Sequence, residues 1–421
     1  MAFGGGTFLA QNRGLPGTFI NFVSVASGMV SQADRGYAAM ALPLPWGPSG
    51  EMLTVTGEDL IRRSRNLFGR EYSHPALRPL RELFLGARTA YLFRLGGGGN
   101  RACCDLGTAL YPGSLGNEIV LVVTDLAGRF GVETMVDGIR MDYQVVLSAR
   151  ELLDNDFVQF DRESVLTPTA GLPMTGGSDG TPTVDEYSRF LDLTESYSFN
   201  TLGCLSEDDS VKAMFARHTQ RMREEVGVKF QCVLYRYTQA DYEGVISVEN
   251  ACEEEEAGLV YWVTGMSAGS PVNRSMTNRR YAGEFTVDTA YTKSELENRL
   301  RRGSFLLYGT GGDIRVVEDV NTLVTFSPEK SLDFSLNQTI RVIDQVALDI
   351  AALFRDRYLG VIPNDNAGRL SLWGDIVSHH RNLETIRAIE DFEPQDVTVE
   401  AGENKRSVVV TDRITPVCAM S

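Results

Sequence analysis

Between residues 180 and 300 the chain alternates short β-prone runs with longer helical stretches, and no other feature limits its fold as strongly. A helix is expected near Val184–Leu193, then a strand over Asn200–Leu205 and a helix over Asp208–Glu225. A strand over Phe230–Tyr237 and a further helix across Glu253–Gly265 complete the run. Strands separated by helices need crossover connections, so they join side by side in a parallel, Rossmann-like sheet. The carboxylates Glu253–Glu256 read as the solvated start of the last helix, because adjacent side chains on a helix point apart.

The flanking regions have a different grain. Residues 52–95 read as strand, two helices and strand: Met52–Val55, Glu58–Leu67, His74–Leu85 and Tyr91–Phe93. Gly96–Gly99 then reads as a flexible break at a domain boundary. Residues 100–168 turn to short strands, with Asp137-Gly138 as a hairpin turn between Gly131–Val136 and Ile139–Leu147. From 303 a strand pair, Phe305–Tyr308 and Ile314–Val317, surrounds Gly309–Gly312. Two amphipathic helices follow. The first has Ser335 as N-cap and Leu336, Ile340, Ile343, Ala347, Ile350 and Phe354 on one face; the second carries Trp373, Ile376, Val377, Leu383, Ile386 and Ile389. A strand at Arg406–Thr411 ends the pattern. The expected fold class is therefore α/β and multi-domain. It comprises an extended N-terminal arm (1–30), an α/β segment (31–96), an inserted β-sandwich (97–168), a Rossmann-like α/β domain (169–302) and an α+β C-terminal domain (303–421).

Charge and cysteine usage narrow the function. The formal net charge of −16 argues against non-specific nucleic-acid binding, which needs a basic footprint. No apolar run reaches membrane-spanning length, and the Gly-rich N-terminus lacks the pattern of a secretory signal. The six cysteines have no metal-like spacing and read as free thiols.

Motifs for chemistry are weak. Gly265-Met266-Ser267-Ala268-Gly269 matches G-x-S-x-G, and His379 and His380 lie downstream, so a serine hydrolase is one reading. The preceding residues read as a helix running in, where the nucleophile elbow needs a strand, and small-residue helix packing accounts better for the pattern. A soluble α/β ligand-binding protein is a further alternative. The glycine clusters lack a Walker lysine. His379 and His380 are adjacent on a helix and point about 100° apart, which does not suit one shared metal. Asn364–Gly368 lacks the glutamate of a calcium loop. No cofactor, metal or catalytic residue is assigned.

Two features suit interactions instead. Thr18, Phe19, Ile20, Asn21, Phe22 and Val23 form a β-prone run after a Gly-rich start. They read either as an edge strand of the chain's own sheet or as an arm that adds a strand to another subunit. Arg341, Arg355, Arg357, Arg369, Arg381 and Arg387 place positive charge on the C-terminal module of an acidic protein. They read as ordinary helix surface or, together, as a surface for an acidic partner.

Several segments in this order resemble the contractile tail sheath protein of myophages, in the branch found in defective prophages and phage tail-like bacteriocins. They are GGGTFLAQNRGLPGTFINF at the start, LPLPWGP at 42–48, LFGREYSHPALRPLRELF at 67–84, AGLPMTGGSDG at 170–180, DYEGVISVEN at 241–250 and RVVEDVNTLVTF at 315–326, followed by the C-terminal module. The resemblance implies a non-enzymatic subunit that polymerises as stacked hexameric rings in a helical homo-oligomer. It implies a virion tail or tail-like particle assembled in the host cytoplasm, with tail tube, baseplate and tail terminator proteins as partners. It favours the arm reading of Thr18–Val23 and makes Arg341, Arg355, Arg357, Arg381 and Arg387 candidates to face the tube. It also implies a further strand after Met420, where this sequence stops at Ser421, so more of the interlock is expected of the N-terminal arm.

Overall fold

The computed structural model describes residues 35–420, which fall into two compact units. The first comprises 35–39, 82–88 and 196–420; the second comprises 40–81 and 89–195. The expected arm, including Thr18–Val23, lies outside the described residues.

The alternation at 180–300 produces the sheet it predicts in kind. In the first unit Thr201–Cys204, Gln231–Tyr235, Val245–Val248 and Ser304–Phe305 pair in parallel, each beside the next. All four strands are buried on both faces, so burial does not alternate along them, and Thr201, Gln231, Ser247 and Ser304 are buried beside their apolar neighbours. That is why Val245–Val248, only four residues long, escapes a reading based on period. The helix Lys293–Leu300 was also not anticipated; it is short and has no buried face, but Thr292 and Glu295 form a capping box at its start.

The helix expected across Glu253–Gly265 is Leu259–Gly269. Its acidic prelude is not a helical turn, because tertiary partners hold those residues. Glu254 accepts from the Thr286 backbone and hydroxyl, and Glu256 accepts from the Tyr235 hydroxyl and Arg236. The stretch Phe305–Tyr308 is likewise divided. Its first part joins the parallel sheet, and Leu307–Thr310 pairs with Asp313–Val316 as the expected hairpin.

In the second unit Met52–Thr56 pairs antiparallel with Thr89–Leu95. The helix expected over Glu58–Leu67 is interrupted at Arg63, giving Gly57–Arg62 and Ser64–Phe68. A 3-10 turn at Pro75–Leu77, capped by the His74 ring, leads into the helix Arg78–Phe84. The β-rich region holds two antiparallel sheets, one of four strands and one of three. They share a core that includes Leu121, Val132, Val136, Val158 and Phe160. Trp46 completes that core, stacked on Phe157 with its indole N–H on the Asp156 carbonyl at 3.1 Å. The Asp137-Gly138 turn is as expected, with positive φ at both residues (49° and 71°) and Val136 paired with Ile139.

Two boundary expectations change here. The four-stranded sheet takes an edge strand from Thr169–Pro173, beyond the limit drawn at 168. The Gly96–Gly99 run is a packed crossing rather than a flexible break. Gly180 donates to the Gly96 carbonyl at 3.0 Å, and a Cβ on Gly96 would lie 2.7 Å from the Gly180 oxygen. The N–H groups of Gly96 and Gly97 also donate to the Glu186 carboxylate, so glycine is required for backbone approach.

Candidate functional site

The C-terminal module is built on the helix Asn337–Leu353, whose first three turns are buried on every side. Ile340, Val346 and Ile350 join Leu372, Ile376 and Leu383 of the helix Asn366–Thr385 in one core. The long helix starts one residue later than expected, with Leu336 at the N-cap. Ser335 instead closes a 3-10 turn, its hydroxyl donating to the Leu332 carbonyl at 2.7 Å. Gln338 clamps the chain end: its amide donates to the Val417 carbonyl and accepts from the Ala419 N–H, both at 3.0 Å.

The candidate arginines separate into two groups. Arg341 is not a surface residue. It is 1% exposed, and its guanidinium donates to Asp319 Oδ2 at 2.6 Å and the Arg274 carbonyl at 2.9 Å. A helix buried all round has no solvent face to offer at that position, and helical period alone does not show this. Nearby, Arg223 grips Asp344 through two bonds of 2.6 and 2.8 Å. Arg35 donates to the carbonyls of Ser267 and Ser270 at the end of the helix Leu259–Gly269. Burial, with Arg341 as a like charge, lowers the Arg35 guanidinium to about 9.

Arg355, Arg357, Arg381 and Arg387 are exposed. Arg355 pairs with Asp356, and this pairing raises its pKa. Arg357 meets Asp375 at 3.2 Å, and Arg381 meets Glu384 at 2.9 Å while lying over the Phe392 ring. Arg369 folds back onto Asn364. Just beyond Arg357 the chain exposes Leu359, Val361 and Ile362, with Val361 at 69%. Exposed apolar side chains thus sit together at a turn beside two arginines, the chemistry of an interaction patch.

A second surface was not anticipated in full. Val397–Ala401 and Val408–Asp412 form a two-stranded antiparallel sheet, and only the second strand was expected. Val399 and Val410, paired across the strands, pack against the C-terminal core, whereas Thr398, Glu400, Val409 and Thr411 are exposed. The alternation of Val397 and Val399, followed by a Gly-Glu-Asn turn, was the available signal. Among the described residues both strands are edges of this sheet.

The G-x-S-x-G segment lies on a buried helix. Ser267 is 2% exposed and its hydroxyl faces the Met276 sulfur at 3.6 Å. Gly265 and Gly269 lie against the backbone of Leu83 and Gly86. His379 and His380 face Asp349 and Asp412 rather than this serine. Asp365, in the calcium-like loop, caps the helix Asn366–Thr385 by accepting from the Gly368 N–H at 2.8 Å.

Three family models match the chain. They are the phage tail sheath protein central domain over 180–322, the phage tail sheath C-terminal domain over 329–421 and the N-terminal region of tail sheath protein Gp18 domain III over 35–95. The phage-like element PBSX protein XkdK of Bacillus subtilis is 30% identical, over 99% of this chain and 97% of its own length. The chain belongs to the phage tail sheath family. The crystal structure of a sheath tail protein from Desulfitobacterium hafniense is similar at 34% identity and a TM-score of 0.80, covering 91% of this chain and 93% of that one. At 12% identity the likeness reaches the helical sheath of the anti-feeding prophage in its contracted state, with a TM-score of 0.57 over 97% of this chain and 98% of that one. This distant match concerns the fold. The sheath family is a structural one, and both surfaces of the C-terminal module lie within the residues matched by its C-terminal domain model.

Proposed function

We propose that the chain is the structural subunit of a contractile tail sheath, polymerising as stacked hexamers around a tail tube and contracting to drive the tube through a cell envelope. The observation that carries this reading is membership of the sheath family along nearly the whole chain. The fold likeness to a helical sheath in its contracted state supports the contractile part. Energy is stored in the assembly: the extended lattice is metastable, and the contracted one buries more surface between subunits.

The open hairpin Val397–Ala401/Val408–Asp412 is the acceptor for Thr18–Val23 of a neighbouring subunit. A two-stranded sheet is marginal by itself, and an added strand satisfies its edge. Each main-chain hydrogen bond so formed contributes about 1 kcal/mol net, modest per link and large over a lattice. The region 97–168 forms the outer decoration, and 303–421 forms the inner, tube-facing part. Baseplate and tail terminator proteins bind the ends of the sheath.

Negative-stain microscopy of the purified chain tests the assembly. Ring stacks or tubes are expected from the full chain. Removing residues 1–22 is expected to leave folded subunits, with unchanged circular dichroism, that form none. Tubes from the shortened chain would show that strand exchange does not run through Thr18–Val23.

Arg355 and Arg357, with the apolar turn Leu359–Ile362, are the tube contact. Both arginines are substantially exposed, so salt screens their attraction. Charge reversal of both to glutamate is expected to reduce co-sedimentation with assembled tube protein at least tenfold at low salt, with a smaller loss at high salt. Unchanged binding would remove this pair from the contact.

A further inference from the structure

Two histidines that helical period sets apart meet in the folded chain. The Nδ1 atoms of His379 and His380, on the helix Asn366–Thr385, are 3.1 Å apart. Their outer nitrogens both face carboxylates. His379 Nε2 is 3.2 Å from Asp349 Oδ2 on the helix Asn337–Leu353, and His380 Nε2 is 2.7 Å from Asp412 Oδ2 on the strand Val408–Asp412. His380 is fully buried, with the Phe392 ring edge-on at 5.1 Å. The row Asp349–His379–His380–Asp412 therefore ties both helices to the hairpin.

Three hydrogen bonds need three protons, and two neutral imidazoles carry only two N–H groups. With both N–H groups spent on the carboxylates, two Nδ1 lone pairs would oppose each other at 3.1 Å. One further proton between the rings removes that repulsion. The 2.7 Å contact with Asp412 has the length of a charge-assisted bond, which places the extra charge on His380. His379 is then the neutral acceptor. Burial holds its pKa below the ordinary value of 6.5, with Asp349 opposing the shift and His380 adding to it. The surrounding charges fit this state. Asp349 also accepts from Gln345 and senses Arg35, Arg381 lies over the Phe392 ring and pairs with Glu384, and Asp412 Oδ1 is buried without a hydrogen-bond partner. Among the described residues no group of three or more His, Cys, Asp or Glu is placed to hold a metal ion.

We propose that His379 and His380 are a one-proton dyad that makes the root of the C-terminal hairpin sensitive to pH. With one shared proton all three links stand. A second proton sets two N–H groups face to face, and loss of the shared proton sets two lone pairs face to face. Either change parts the rings. On the acid side the sign follows from His379: below about pH 6.5 the unfolded chain takes up a proton that the folded one resists, so stability falls as pH falls. The consequence for assembly rests on the hairpin being the arm's acceptor, but the dyad itself can be read in the subunit.

Nitrogen NMR of the full chain with labelled histidine, between pH 4.5 and 9, tests the dyad directly, since the chain has only four histidines. The expected result near neutrality is one imidazolium per pair, with the two Nδ1 signals titrating together. Amide-exchange protection of 397–412, taken relative to Gln231–Tyr235 to cancel the intrinsic effect of pH, is expected to drop about tenfold on acidification. In His379→Gln the side-chain oxygen can still accept from His380 but cannot take the second proton, so that acid loss is expected to flatten. Two neutral Nε2–H tautomers at pH 7, independent titrations, or hairpin protection that ignores pH would each overturn the proposal. The wild-type spectrum decides even if the variant does not fold. Tubes can still form when the dyad fails, so the two readings fail separately.

Discussion

Asp319→Ala is expected to destabilise the subunit by about 3–5 kcal/mol, a large share of the stability of an ordinary domain. Asp319 is a hub: its carboxylate accepts from Arg341 at 2.6 Å, from the Met276 N–H at 2.9 Å and from Asn337 at 3.0 Å. Removing it leaves a guanidinium in the interior with no counter-charge of its own. Two of that guanidinium's nitrogens, Nε and Nη1, already lack partners, so only its bond to the Arg274 carbonyl would remain. Urea denaturation of the wild type and variant measures the loss. Replacing both ends, with Asp319→Asn and Arg341→Met together, is expected to cost less than Asp319→Ala alone, because no charge is then left buried. Equal costs would show that the pair contributes no more than its volume.

Gly265→Val is expected to cost about 3 kcal/mol or more by overpacking, while Ser267→Ala two residues away changes stability by only about 0.5 kcal/mol. A Cβ at Gly265 would stand 2.8 Å from the Leu83 carbonyl carbon, and main chain cannot move aside as a flexible side chain can. Ser267, by contrast, gives up only a weak contact with the Met276 sulfur. Thermal or urea denaturation of the two variants reads the difference. If Ser267→Ala were the more damaging, the G-x-S-x-G segment would have a role beyond close helix packing.

Particular residues show which parts of the molecule can be read along the chain. The Asp137-Gly138 turn is legible because its backbone demands are local and few residue types meet them. The antiparallel hairpin at Leu307–Thr310 is legible for a similar reason, with Gly311 and Gly312 both at positive φ. Val245–Val248 is not, since a four-residue strand buried on both faces carries no period. Glu253–Glu256 were misread because their partners, among them Tyr235, Arg236 and Thr286, are distant in sequence. In the candidate site the hairpin strand Val408–Asp412 was foreseen two residues early at its start and one at its end, and its partner Val397–Ala401 was not foreseen.

The sequence by itself determined the class of the fold, the apolar helices of the C-terminal module and the resemblance to tail sheaths. All of these depend on local propensity and on the order of segments. The tertiary structure alone decided which polar groups lie inside. Arg341 and Arg357 are both arginines in or just after the same long helical run, yet one is bonded to Asp319 in the interior and the other is exposed beside an apolar turn. His379 and His380, adjacent and divergent by helical period, meet through ring rotation because Asp349 and Asp412 hold their outer nitrogens. Burial and pairing depend on what packs from other parts of the chain, and that information is not carried by any one stretch of it.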